Sequence, residues 1–150
     1  MSKYTFPAVL KWAEEDKSYE VYFPDVNGCA TAGADLTEAL ENAKDTLNLM
    51  LWGMEHDGEV IPSPTAPNAL ELKHGEFSSL VVADTVAYQE VIDRENNPIK
   101  YVRQKAGLNI KGLAELLHAP YRTVQDWNSG KRMPPKWLQA LIVEKIEAAG

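Results

Sequence analysis

The chain has 150 residues, 45% of them apolar and 25% charged, which is enough to bury one moderate core or two small ones. Its formal net charge of -7 would ordinarily argue against nucleic acid as a partner. No apolar run approaches the length of a membrane span, and no basic region followed by an apolar stretch stands at the start, so no membrane contact and a cytoplasmic location are expected.

Tyr4, Phe6, Ala8, Leu10 and Trp12 fall at every second position and predict a strand with all five on one face. After the polar turn from Ala13 to Ser18, a second strand places Tyr19, Val21 and Phe23 on one face, so the two read as a hairpin. Pro24-Asp25-Val26-Asn27-Gly28 supplies turn chemistry, and Cys29 to Ala32 is small enough to form a third strand packed closely under a helix. That helix opens with a capping-box-like Asp35 and Glu38. It carries Leu36, Ala39, Leu40, Ala43, Leu47, Met50, Leu51 and Met54 at three- and four-residue steps, with Gly58 just beyond its end. Burying such a stripe stabilises by roughly 1.5–3 kcal/mol per large side chain. Pro62, Pro64 and Pro67 mark an extended passage. Phe77 to Ala83, rich in Val and Leu, reads as a fourth strand for which an exposed edge is open. Asp84 to Ile92 fits more than one period, and the polar residues Asp93 to Pro98 read as a turn-rich linker.

In this first region Phe6-Pro7-Ala8-Val9, Tyr22-Phe23-Pro24-Asp25, Asn27-Gly28-Cys29, the helix start Thr37 to Ala43 and Ile61-Pro62-Ser63-Pro64 follow one another in an order that closely resembles HicB antitoxins. The resemblance runs from about Tyr4 to Thr65. It implies a partial ribonuclease H-like fold that neutralises HicA, a small basic RNA-cleaving toxin, with a second domain that binds the operator of its own genes.

Beyond Ile99, Leu113, Leu116 and Leu117 give one apolar stripe, and Ala114 is small where a second helix would approach. His118-Ala119-Pro120 interrupts the period and predicts a short turn. After it, Val124 and Trp127 can face the leucines, which leaves Tyr121, Arg122, Thr123, Gln125 and Asp126 pointing outward. Asn128-Ser129-Gly130 has the chemistry of a helix end, and Lys131 and Arg132 follow it where a loop would pass a phosphate backbone. Pro134-Pro135 opens a last helix, in which Trp137, Leu138, Leu141, Ile142 and Ile146 are expected to close a small core.

From Ile99 onward the segment resembles the helix-turn-helix of the Xre/Cro repressor superfamily, with Val102, Arg103, Ala106 and Gly107-Leu108 in the place of its first helix and following turn. It departs from that family at Asn109-Ile110, where Thr-Gln is usual, and at Asn128, where Glu usually follows the Trp. In such a motif the second helix enters the major groove, which makes Arg122 the reader of guanine and Gln125 of adenine, with Thr123 on a thymine methyl or a phosphate. The expected DNA-facing set is Tyr121, Arg122, Thr123, Gln125, Asp126, Asn128, Lys131 and Arg132, with Lys111. The plain alternative is a small helical domain that binds protein.

Charge divides along the same boundary. Residues 1–99 hold six Lys and Arg against eighteen Asp and Glu, a balance of -12, whereas residues 100–150 hold nine against four, a balance of +5. The latter can release counterions from phosphate, and the former attracts a cationic partner. For toxin contact the candidates are Glu14, Glu15, Asp16 and Asp25 in turns, and Glu41 and Asp45 on the outer helix face. For any one of them a solvated surface position is the simpler reading.

Cys29, alone, excludes an intrachain disulfide, and His56, His74 and His118 are spaced too far apart to suggest a metal site, so neither metal nor cofactor is expected. Two-metal hydrolysis needs converging carboxylates, and the first strand carries none, which argues against an enzyme. The fold class expected is α+β: a β-β-β-α-β partial ribonuclease H-like domain (1–92), a linker (93–98) and an all-α helix-turn-helix domain (99–150). The function expected is an antitoxin that binds a HicA-like mRNA interferase toxin and, as a homodimer or homotetramer, represses its own operon on double-stranded operator DNA. A free-standing regulator with a ligand-sensing N-terminal domain is the alternative, and a nuclease the third.

Overall fold

The computed structural model describes residues 2–149, a mixed α/β chain with a four-stranded antiparallel sheet. It divides into two compact units, Met1–Gln89 and Glu90–Gly150. The first holds β1 (Lys3–Ala13), β2 (Ser18–Tyr22), β3 (Ala30–Gly33), α1 (Leu36–His56), one 3-10 turn (Pro67–Ala69) and β4 (Glu76–Asp84). The division falls within α2 (Thr85–Asn96), after which come α3 (Pro98–Lys105), α4 (Ile110–Leu117), α5 (Tyr121–Ser129) and α6 (Lys136–Ala149). No helix is long and apolar enough to cross a membrane.

The strands lie in the order β3-β2-β1-β4, so β1 is central and β3 and β4 are edges. Directly opposed residues share a face: Leu10 faces Val21 on β2 and Phe77 on β4, and Phe6 faces Val81. Phe6, Ala8, Leu10, Val21, Val81 and Ala83 therefore line one side, which α1 covers with Ala39, Ala43, Leu47 and Leu51 to form the core. The alternation legible in β1 and β2 is this face. Pro7 sits within β1 because the backbone there faces β2, and the β1–β2 ladder begins only at Val9↔Tyr22; the missing N–H breaks no bond.

α1 forms where its caps predict. Asp35 Oδ1 accepts the Glu38 N–H at 2.8 Å, and Glu38 reaches back to the Ala34 N–H at 3.4 Å. Its other end closes through Gly58, with Gly58 N–H donated to Glu55 O and Glu59 N–H to Met54 O. Of the expected stripe, Ala39, Ala43, Leu47 and Leu51 are buried, and Met50 and Met54 are half-buried against the same core. Leu36 and Leu40 remain exposed, because the first turn lies against β3, a four-residue edge strand with no sheet beyond it. Gly33 permits that approach, since a Cβ there would lie 2.3 Å from the Ala39 nitrogen.

The stretch with no clear period, Asp84 to Ile92, is helical from Thr85, with Asp84 Oδ1 accepting the Ala87 N–H at 3.1 Å. The residues read as a turn-rich linker are also helical, in α2 up to Asn96 and in α3 from Pro98. Asn97 alone stands between them, and it caps α3 by accepting the Lys100 N–H.

The second unit packs around Ile99, Leu113, Ala114, Val124, Ile142 and Ile146, with Trp127 and Leu138 half-buried against them. Trp137 and Leu141 do not close this core: they are 66% and 54% exposed. The inward stripe of α6 is Leu138, Ile142 and Ile146, at four-residue steps. Trp137 and Leu141 each precede a member of it by one residue, about 100° away around the helix. Gln139 is buried instead, its amide donating to Pro134 O at 2.7 Å.

Gly33→Ala should destabilise the chain by about 1–3 kcal/mol, since the added methyl meets backbone that cannot turn aside. An unchanged melting temperature would contradict the close packing of β3 under α1.

Candidate functional site

In the second unit α4 starts at Asn109, whose Oδ1 accepts the Gly112 N–H at 2.6 Å. It ends at His118, which takes the left-handed conformation (φ 54°) and lets Ala119 N–H reach Ala114 O. Pro120 then sets the chain for α5, and burial of Leu113, Ala114 and Val124 holds the two helices together. This leaves Tyr121, Arg122 and Gln125 exposed, with Thr123 and Asp126 half-buried beside them. Arg122 Nε lies 3.8 Å from Asp126 Oδ1, one turn on, so the carboxylate steadies a guanidinium that is 78% exposed. Gly130 (φ 78°) stops α5, and Lys131 and Arg132 follow, both exposed. Lys111 lines a shallow hollow with Tyr121, Glu115 and His118.

Asn128 is placed differently from the rest of that set. Its Oδ1 accepts from Arg103 Nη2 at 2.9 Å, while Arg103 Nη1 donates to Leu108 O at 2.7 Å. The side chain thus fastens α3 and the loop after it to α5. Arg103 and Asn128 are 25 residues apart, and nothing local marks the pair.

The acidic candidates of the first unit fall into separate groups. Glu14, Glu15 and Asp16 are exposed at the β1–β2 turn. Glu14 accepts from Trp12 Nε1 at 2.7 Å and pairs with Lys17; the Lys17 and Trp12 donors hold its carboxyl below the usual range. Glu41 and Asp45 are exposed one turn apart on α1. Asp25 is turned inward. Its two oxygens accept from the backbone N–H and the hydroxyl of Thr65, at 2.8 and 2.5 Å, which ties the proline-rich passage to the β2–β3 turn. Burial pushes the Cys29 thiol up to about 11, which removes it as a nucleophile.

The outer face of the sheet, opposite α1, was not singled out by residue pattern. It carries Tyr22, Leu80 and Val82, which are 40%, 55% and 49% exposed. The Tyr22 hydroxyl donates to Glu76 Oε2 at 3.3 Å, reaching from β2 across β1 to β4. Burial, with the Glu76 charge beside it, raises that hydroxyl's pKa. The strict alternation of exposed Ser78, Leu80 and Val82 with inward Val81 and Ala83 was the available signal. By unit, residues 1–89 carry five Lys and no Arg against fifteen Asp and Glu, a balance of -10, and residues 90–150 carry ten basic against seven acidic, a balance of +3.

Residues 6–100 match the family described as the HicB-like antitoxin of bacterial toxin-antitoxin systems. A 14.9 kDa protein in the rep-hol intergenic region of Haemophilus phage HP1 is 30% identical over 100 residues, covering 67% of this chain and 68% of that protein. A chain of a toxin-antitoxin complex from Streptococcus pneumoniae superposes with a TM-score of 0.53 at 20% identity, over 87% of this chain and 99% of that one. A chain of a HicA3 and HicB3 toxin-antitoxin complex gives 0.46 at 22% identity, over 54% of this chain and 99% of that one. The fold is thus one found in a chain of a solved toxin-antitoxin complex. The chain belongs to the HicB-like antitoxin family.

Asp25→Ala should cost about 1–3 kcal/mol, because it strands two donors of Thr65. It should also speed hydrogen exchange at the Thr65 amide, and protection equal to that of the unaltered chain would contradict the assigned pin.

Proposed function

We propose that this antitoxin neutralises a HicA-like, RNA-cleaving toxin through its first unit and represses its own operon through its second, acting in the cytoplasm as a homodimer or homotetramer. The observation that carries this reading is the opposition of charge, -10 against +3, between two units of one antitoxin-family chain. A toxin that grips RNA presents cationic surface, and an anionic unit occupies it without being a substrate. The exposed Glu14, Glu15, Asp16, Glu41 and Asp45 supply the long-range attraction. The four strands with a single helix on one face are read here as a partial ribonuclease H-like domain, a binding scaffold with no chemistry asked of it.

In the second unit α4 and α5 are read as a helix-turn-helix, α5 entering the major groove. Arg122 and Gln125 meet base edges, Thr123 meets a thymine methyl or a phosphate, and Lys111, Tyr121, Lys131 and Arg132 lie near the backbone. Asp126 serves indirectly, by steadying Arg122, and Asn128 serves by holding the helices in register. The apolar step of Trp137 and Leu141, exposed on α6, supports association of copies, which two operator half-sites require.

Co-expression with a HicA-like toxin should relieve the growth arrest that the toxin causes and yield a stable complex on purification. Continued RNA cleavage in the presence of excess chain, with no complex, would overturn the antitoxin mechanism. On operator DNA, Arg122→Ala should reduce discrimination between sites by about 1–3 kcal/mol, while Lys131→Ala or Arg132→Ala weakens binding to every sequence and flattens its salt dependence. Equal losses on all sequences for Arg122→Ala would remove it as a reader.

A further inference from the structure

Successive residues of a strand direct their backbone groups to opposite sides, and three contacts establish which residues of β4 face away from β1. Thr85 N–H is donated to Ser2 O, so odd-numbered residues pair with β1. Asp84 N–H instead meets Asn48 Oδ1 of α1 at 2.9 Å, and Glu76 N–H meets Lys73 O at 3.0 Å. The outward N–H groups at the two ends of the row are therefore taken. Between them Ser78, Leu80 and Val82 turn their N–H and C=O groups outward, and no partner for these groups is found among the described residues.

Edges are normally blunted by shortness, by lysine or proline, or by a bulge. β3 is four residues long. β4 has nine, no Lys or Pro, and an unbroken register from Lys3↔Asp84 to Lys11↔Glu76. Leu80 and Val82 also present 55% and 49% of their surface on the outer sheet face, so a strand laid along this edge gains apolar contact as well as hydrogen bonds.

We propose that this edge receives a β-strand of the cationic toxin, which extends the sheet by one strand; the inference rests on the toxin-binding reading above. Charge selects that occupant. A second copy of this chain, paired antiparallel about Leu80, would set Glu76 opposite the Asp84 of the other copy at both ends and join two units of charge -10. A basic strand meets the same two carboxylates as complements. With the N–H groups of Asp84 and Glu76 taken, the donors left for the incoming strand are those of Ser78, Leu80 and Val82, and the exposed Leu80 and Val82 ask for apolar residues at alternate positions of that strand.

The test uses the full chain and a cationic HicA-like toxin. Leu80→Pro deletes one outward N–H and none that β1 uses, an edge position that tolerates proline. With an unchanged circular dichroism spectrum, it should weaken toxin binding roughly tenfold. Hydrogen exchange on the unaltered complex needs no variant: the amides of Ser78, Leu80 and Val82 should become protected on toxin binding. If the unaltered chain holds the toxin while these amides exchange as fast as in the free chain, the edge assignment is overturned and the toxin reading stands. If the unaltered chain holds no toxin, the reading fails and the assignment falls with it. Protection that appears in the chain alone at high concentration, together with self-association lost in Leu80→Pro, would give the edge to a second copy and overturn the proposal.

Discussion

The first unit depends on β1 being paired on both sides. Its even-numbered residues spend their backbone groups on β4 and, from Val9 onward, its odd-numbered ones spend theirs on β2. That double commitment fixes which side chains face α1, makes a proline tolerable at position 7, and assigns β3 and β4 to the edges. A slip of one residue would turn Phe6, Ala8 and Leu10 out of the core and bring Thr5 and Lys11 into it. Register, core and exposed surface are therefore one constraint seen three ways.

Upon that scaffold the charges are distributed with little local structure. The hairpin acids Glu14 to Asp16 and the helix acids Glu41 and Asp45 are exposed, and apart from Glu14, held by Trp12 and Lys17, none has a hydrogen bond or ion pair of its side chain among the described residues. Such groups contribute to a field more than to a fitted site. Asp25 is the exception, spent on Thr65 and so on the fold itself. In the second unit the relation is similar: Arg122 is displayed, whereas Asn128 and Arg103 hold helices together behind it. Under the proposed function, specificity in both units rests on where rigid elements present a few groups, and attraction rests on the sum of charges.

Much of this organisation was legible in the residues. Alternation in β1 and β2, the Asp35 and Glu38 caps, Gly58 and the His118-Ala119-Pro120 break are local signals, and each corresponds to a local structure. Features that depend on contacts distant in sequence were not legible. Trp137 and Leu141 have the composition of a core, but their angle around α6 relative to Ile142 and Ile146 turns them outward. Asp25 has the composition of a surface acid, and only its meeting with Thr65, 40 residues on, makes it a pin. The polar run Asp93 to Asn96 reads as turn, yet it continues α2 because the helix start at Asp84 and Thr85 carries through it. The open edge of β4 was foreseeable as a possibility for an apolar strand. Which of its residues are open follows only from the sheet order and register.

Division of labour by electric sign is best tested by the rate at which the full chain and the toxin associate, followed by stopped-flow at rising salt. Attraction between an anionic unit and a cationic partner requires the association rate constant to fall steeply as ionic strength rises, with dissociation changing far less. An association rate constant that stays flat from low salt to roughly 0.5 M, where the screening length is only a few ångströms, would contradict it.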